Sequence, residues 1–257
     1  MFVGAGTVLN VITILLGSAL GVALGERLPE RTRDVVTDGL GLVTLLVAAL
    51  SVVSVADSGF VDAVGRGAPV LIVLGSVLIG GIVGSLLRLE ARLEALGEWI
   101  RLGWRRRRGA PAEEPEVELA ESQGFIEGFV TSSLVFCVGP LAILGALSDG
   151  LGLGIDQLAL KATLDGFAAI AFAASMGWGV AASALVVGVY QGALTLLGYT
   201  LGNVLNSAEI AALTATGGLL LVGIGLRLLR IRPVPVADLL PALVVAPLLT
   251  AVVLALR

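Results

Sequence analysis

Residues 5–25 read AGTVLNVITILLGSALGVALG, twenty-one residues without a charge. An α-helix crosses the hydrocarbon core of a bilayer with about 20 apolar residues. The run is too long and too continuously apolar for an alternating barrel strand, so it reads as a transmembrane helix. Working outward, seven more runs of this kind follow, near 38–56, 68–87, 124–147, 157–176, 180–204, 208–229 and 237–256. The fifth and sixth of these eight runs are separated only by Gly177-Trp178-Gly179. Composition agrees: 57% of the 257 residues are hydrophobic, 14% are charged, and the mean hydropathy is +1.02. Soluble domains carry about one quarter charged residues. The expected fold is therefore all-α, a polytopic transmembrane bundle of about eight spans, and a soluble globular enzyme is excluded.

Other chemistry is closed off by what is missing. There is no histidine and a single cysteine, Cys137, which leaves no disulfide framework, zinc-finger spacing or Cys/His dyad. No cofactor and no nucleic-acid partner is expected, and the sequence names no metal. The chain starts directly on a hydrophobic run without a basic n-region, so no cleavable signal is expected.

Basic residues orient the spans. Arg27, Arg31 and Arg33 follow span 1, Arg88, Arg92, Arg101 and Arg105 to Arg108 follow span 3, and Arg227, Arg230 and Arg232 close span 7. With eight spans all thirteen fall on one side, against Arg66 and Arg257 on the other. The positive-inside rule then places those three loops in the cytoplasm and both termini outside. The chain divides into a first membrane bundle (1–87), a cytoplasmic arm (88–123) and a second membrane bundle (124–257). The arm begins RLEARLEALGEWIRLGWRRRR (88–108), with Leu89, Leu93, Leu96 and Ile100 at helical spacing and Trp99 and Trp104 among arginines. It suits an amphipathic helix in the headgroup region; the plainer and preferred reading is a positive-inside anchor. Gly109 to Gln123, acidic and proline-containing, reads as a flexible linker.

An internal correspondence runs through the spans. ILLGSALGVALG (14–25) aligns with TLLGYTLGNVLN (195–206) at an offset of 181, which also pairs Asn10 with Gln191. TDGLGLVTLL (37–46) stands beside TATGGLLLVG (214–223), and Glu127-Gly128-Phe129 matches Asp165-Gly166-Phe167. Span 1 thus matches span 6 and span 4 matches span 5. Each pair differs by an odd number of spans, so its members cross in opposite directions. Inverted repeats of this kind place a functional site near the midplane between them; glycine-rich helices that pack closely look alike for a blander reason. Gly17 and Gly21, Gly188 and Gly192, and Gly198 and Gly202 are spaced four apart, and are expected at helix contacts or at the face of a homodimer.

A charge inside a span costs at least about 2.5–3.5 kcal/mol, so its default reading is functional. Asp165 lies near the middle of span 5 with Lys161 one turn before it, able to face it at i, i+4. The pair is either a structural tie or a titratable, ion-binding carboxylate whose partner changes during transport. Glu127 joins it through the repeat, although it lies nearer the cytoplasmic end of its span. Asn10 and Gln191, with Thr13, Thr195 and Asn203, supply uncharged ligands or interhelical hydrogen bonds. Asp149 and Asp156 bracket a turn or outer vestibule, and Asp38 and Asp238 read as helix N-caps or first-turn acids. Pro140, after Gly139, kinks span 4 or breaks it.

The block GFVTSSLVFCVGPLAILGALSDG (128–150), with KATLDGFAA (161–169), SMGWGVAASAL (175–185) and VYQGALTLL (189–197), resembles the YdfK/YqgA-like bacterial membrane proteins of unknown function. GTVLN (6–10), GERLPER (25–31) and DGLGL (38–42) fit the same family. The resemblance spans essentially the whole chain and implies a prokaryotic inner-membrane protein, without an activity. Function therefore rests on the intramembrane residues. The first expectation is a transporter or channel for a small ion or polar solute, its pathway between inverted repeats. Asp165, Lys161 and Glu127 would then handle a cation or proton, while Asn10 and Gln191 line the site. A membrane scaffold or sensor using residues 88–123 is the alternative. An intramembrane enzyme on a lipid-linked substrate ranks below both, since HExxH, GxSxG and a histidine base are missing.

Overall fold

Every regular element among the described residues is helical. The computed structural model describes residues 2–25, 29–108, 115–137, 140–201 and 205–256. In chain order the helices are α1 (Ala5–Gly25), α2 (Glu30–Val52), α3 (Ser58–Val64), α4 (Ala68–Leu87), α5 (Leu89–Arg108) and α6 (Pro115–Cys137). They continue with α7 (Pro140–Gly150), α8 (Asp156–Met176), α9 (Gly179–Leu201), α10 (Ser207–Leu228), α11 (Val236–Leu239) and α12 (Ala242–Ala255). A 3-10 turn, Val53–Ala56, extends α2.

Seven spans are long and apolar enough to cross a membrane: α1, α4, α8, α9, α10, the stretch Asp34–Ala56 and the stretch Val236–Ala255. A further pair, Ser122–Cys137 and Leu141–Gly150, is apolar enough when taken together but inclined by 78°, the shape of a broken span or a re-entrant loop. Proline lacks the N–H and crowds the carbonyl four residues back, so a helix ends before Pro140 and a new one starts on it. This is a multi-pass membrane protein.

One local expectation needs correction. The linker expected over 109–123 is helical from Pro115 onward; proline suits the first position of a helix. Residues 109–114 lie outside the described residues. The stretch between the second and third spans carries a helix of its own, α3, because the Asp57 carboxylate accepts the Phe60 N–H at 3.0 Å and caps it.

Contacts gather the chain into two compact units. Unit 1 holds 1–40, 91–137 and 141–200, and unit 2 chiefly 41–90 and 201–257. In unit 1, α1 runs alongside α8 in the same direction: Gly6 meets Leu158, Gly17 meets the Gly166 carbonyl, Gly21 that of Ile170 and Gly25 that of Ala174. A side chain at Gly17, Gly21 or Gly25 would strike backbone, so glycine is what lets the helices approach. α9 lies against α6 and α7, with Gly179 against the Phe125 carbonyl, Gly198 against the Leu147 carbonyl and Gly150 against that of Thr195. Between the two pairs the direction reverses. Thr7 meets Thr195, Asn10 meets Gln191 and Gly188 meets Val11, a falling register that makes α1 and α9 antiparallel. Gly128 against Met176, and Phe136 edge-on to Phe172 at 6.0 Å between centroids, make α6 and α8 antiparallel as well. The arm helix α5 packs on α6: Gly97 lies against the Phe129 ring, and Glu98 accepts from Arg101 and from Ser122.

Unit 2 is built around α10, whose small face, Ala208, Ala211 and Ala212, meets Phe60, Val64, Ile72 and Ala246. Gly80 and Gly84 of α4 lie against the backbone of Ala242 and Asp238. The opposite side of α4 exposes Leu71, Leu74, Leu78, Ile82 and Leu86, a stripe at helical spacing that suits lipid. Asn206 and Glu209 close a reciprocal capping box at the start of α10.

Candidate functional site

The polar residues of unit 1 are brought together by the smallness of their neighbours. Lys161 and Asp165 stand one turn apart on α8, and their ion pair is buried, with side chains 8% and 10% exposed. Around them α8 carries Ala162, Gly166, Ala169 and Ala173, and Gly17 and Gly21 seat α1 directly on that stripe. Asn10 is thereby carried to the carboxylate: its Nδ2 donates to Asp165 Oδ2 at 2.9 Å and to Gln191 Oε1 at 3.2 Å. Asp165 Oδ2 also accepts from the Lys161 ammonium. Asn10 and Gln191 are fully buried.

Four of the five expected site residues thus form one hydrogen-bonded cluster drawn from α1, α8 and α9. Thr7 and Thr195, both buried, extend it with hydroxyls 3.4 Å apart. Glu127 does not join it. It is exposed on α6, and its neighbour Gly128 packs on Met176, eleven residues beyond Asp165 and so about 16 Å along α8. The likeness of Glu127-Gly128-Phe129 to Asp165-Gly166-Phe167 is one of letters and not of depth.

The cluster is incompletely satisfied. Asn10 Oδ1 and Gln191 Nε2 are buried without a hydrogen-bond partner among the described residues. Such atoms forfeit the hydration they would have in water, and native proteins keep them rare. Thr131 and Ser133 of α6 are buried with unpartnered hydroxyls too, whereas Ser132 between them donates to the Gly128 carbonyl. Three consecutive hydroxyls in an apolar run, TSS at 131–133, were the available sequence signal. A groove of about 280 Å³ lies along α1 and α8, lined by Thr13, Gly17, Ala162, Gly166 and Phe167 among others; the charged pair does not line it.

Asp149 turns out to be neither turn residue nor vestibule wall. Buried at the end of α7, it accepts the Gly4 and Gly6 N–H groups at 3.1 and 2.9 Å and so caps the N-terminus of α1 from across the chain. Among the packing glycines, Gly192 differs from the expectation: a side chain there would meet nothing within 4 Å. Gly188 touches Val11. Gly202 and Asn203 lie outside the described residues. No group of three Cys, Asp or Glu residues able to hold a metal gathers among the described residues.

Unit 2 holds a second ionic network. Glu90 pairs with Arg227 and accepts the Ala237 N–H at 2.8 Å, while Asp238 accepts the Glu90 N–H at 2.9 Å. Asp238 is the first-turn acid of α11, but its carboxylate serves the start of α5.

Comparison with known proteins gives a family. Residues 5–251 match the family described as "Protein of unknown function (DUF554)". The chain is similar to the "Uncharacterized membrane protein YdfK" of Bacillus subtilis (strain 168), 27% identical over 249 residues and 96% of each chain. It is also similar to the "Uncharacterized protein YqgA" of Escherichia coli (strain K12), 30% identical over 246 residues and again 96% of each. No solved structure matches.

Proposed function

The chain belongs to the DUF554 family, and we propose that it is a transporter or channel for a small ion or polar solute, working through the Lys161–Asp165 cluster. The observation that carries this reading is a buried ion pair in mid-helix whose amide neighbours keep unspent hydrogen-bonding atoms. A purely structural tie favours full satisfaction of its members. A site that must bind and release a solute keeps capacity in reserve.

The helix directions support a pathway between inverted repeats. Two parallel pairs, α1 with α8 and α9 with α6, run opposite to one another, and Asn10 and Gln191, equivalent in the repeat, touch where α1 and α9 cross. Equivalent residues meet each other when they lie on a twofold axis, and substrate sites of inverted-repeat transporters lie near such axes. The same register agrees with eight spans, because Asp149 at the end of span 4 reaches the start of span 1. With the thirteen arginines on one side, this orients both termini away from the cytoplasm of a bacterial inner membrane.

The test is flux in proteoliposomes with Na⁺, K⁺, H⁺, Cl⁻ and labelled amino acids as probes. Wild-type protein should move at least one of them, and Asp165→Asn should reduce that flux to the protein-free background. Undiminished flux in folded Asp165→Asn protein rejects the site.

A further inference from the structure

We propose that the Lys161–Asp165 cluster binds a small zwitterion, a solute that carries an ammonium and a carboxylate a few bonds apart as a free amino acid does. This rests on the transport reading and narrows its substrate class. The argument is a count of hydrogen-bonding capacity. The Lys161 ammonium has three N–H donors and spends one, on Asp165 Oδ2. Asn10 spends both amide hydrogens, on that same oxygen and on Gln191 Oε1. Among the described residues this leaves two ammonium N–H groups, the Gln191 Nε2 amide, Asp165 Oδ1 and Asn10 Oδ1. Unspent donors and unspent acceptors therefore belong to one hydrogen-bonded cluster that holds both charges.

Charge balance decides between ligand classes. The cluster is neutral as a pair. A lone cation reaching Asp165 Oδ1 and Asn10 Oδ1 meets an ammonium already bonded to the same carboxylate, and a lone anion reaching Lys161 and Gln191 meets that carboxylate. Either one buries a charge that the site does not compensate, and an uncompensated charge away from water is what burial penalises most. A zwitterion opens one internal ion pair and closes two external ones at constant total charge. Its carboxylate takes Lys161 and the Gln191 Nε2 donor, and its ammonium takes Asp165 and Asn10 Oδ1. Each leftover atom then gains a partner of the right kind. An uncharged alcohol or sugar offers hydrogen bonds, but nothing that replaces either charge of the opened pair.

The experiment uses the full chain in lipid nanodiscs, titrated with each of the twenty standard amino acids and with propylamine and propionate as single-charge probes. Ligand binding to the folded state raises Tm with concentration. At least one amino acid should raise Tm saturably, with a half-saturating concentration at least about tenfold below that of either single-charge probe. The rise should vanish in Lys161→Gln/Asp165→Asn, which preserves neutrality. It should weaken by about tenfold in Gln191→Met, which removes one donor and leaves the ion pair intact. Equal binding of propylamine or propionate, or no rise with any of the twenty, overturns the proposal. Ion flux that dies with Asp165→Asn, in a protein that binds no amino acid, sinks the zwitterion and leaves transport standing. No flux of any ion or amino acid sinks the transport reading itself.

Discussion

The two units use the same chemistry at opposite places on their helices. In unit 2, Glu90, Arg227 and Asp238 meet at helix ends: each carboxylate accepts a backbone N–H near a helix N-terminus, and Arg227 lies in the last turn of α10. Every charge there sits where the helix dipole favours it, and both carboxylates also cap a backbone N–H. In unit 1, Lys161 and Asp165 lie in the interior of α8, where backbone N–H and C=O groups are already paired within the helix, and their neighbours Asn10 and Gln191 keep idle atoms. A network at helix ends explains itself by stability. One in mid-helix, with capacity left over, has its reason elsewhere.

The contrast can be broken by mutation. Asp165→Asn should be the most damaging change. It leaves the Lys161 ammonium buried without its counter-charge, at a cost of about 3–5 kcal/mol, and abolishes flux; a melting curve beside the flux assay checks both. Glu90→Gln comes next on stability, losing a charged hydrogen bond worth about 1.5–3 kcal/mol, yet flux per folded molecule should equal wild type. If flux falls with Glu90→Gln as it does with Asp165→Asn, the distinction between the networks is lost. Asp149→Ala strips the cap from α1 and should cost about 0.5–2 kcal/mol, seen as faster amide exchange at the start of that helix. The smallest effect is expected at Gly192. With nothing within 4 Å, Gly192→Ala should stabilise α9 by up to about 1 kcal/mol, whereas alanine at Gly21, facing the Ile170 carbonyl, should destabilise.

The sequence is most informative where the signal is local. Spans expected at 5–25, 68–87 and 157–176 appear as Ala5–Gly25, Ala68–Leu87 and Asp156–Met176, because twenty apolar residues announce a membrane helix without help from the rest of the chain. Lys161 beside Asp165 was legible for the same reason, being one turn of one helix. What escaped was long-range. Asp149 caps a helix 143 residues away, and nothing near Asp149 advertises that partner. Glu127 and Asp165 share a motif, but which of them is buried depends on where α6 and α8 cross. Gly139-Pro140 marked a break, but not the 78° between the helices on either side of it. The adjacency of Asn10 and Gln191 is the exception: an alignment of two spans paired them, and they are hydrogen-bonded.

The most direct test compares wild-type protein with Lys161→Gln/Asp165→Asn in the same proteoliposomes, reading Tm and flux together. Replacing both charges leaves no buried ion uncompensated, so the fold should tolerate the change. The account predicts a Tm close to wild type with flux at the protein-free background. A double variant that transports as wild type does would show that this pair only holds the helices together, and would contradict the central claim.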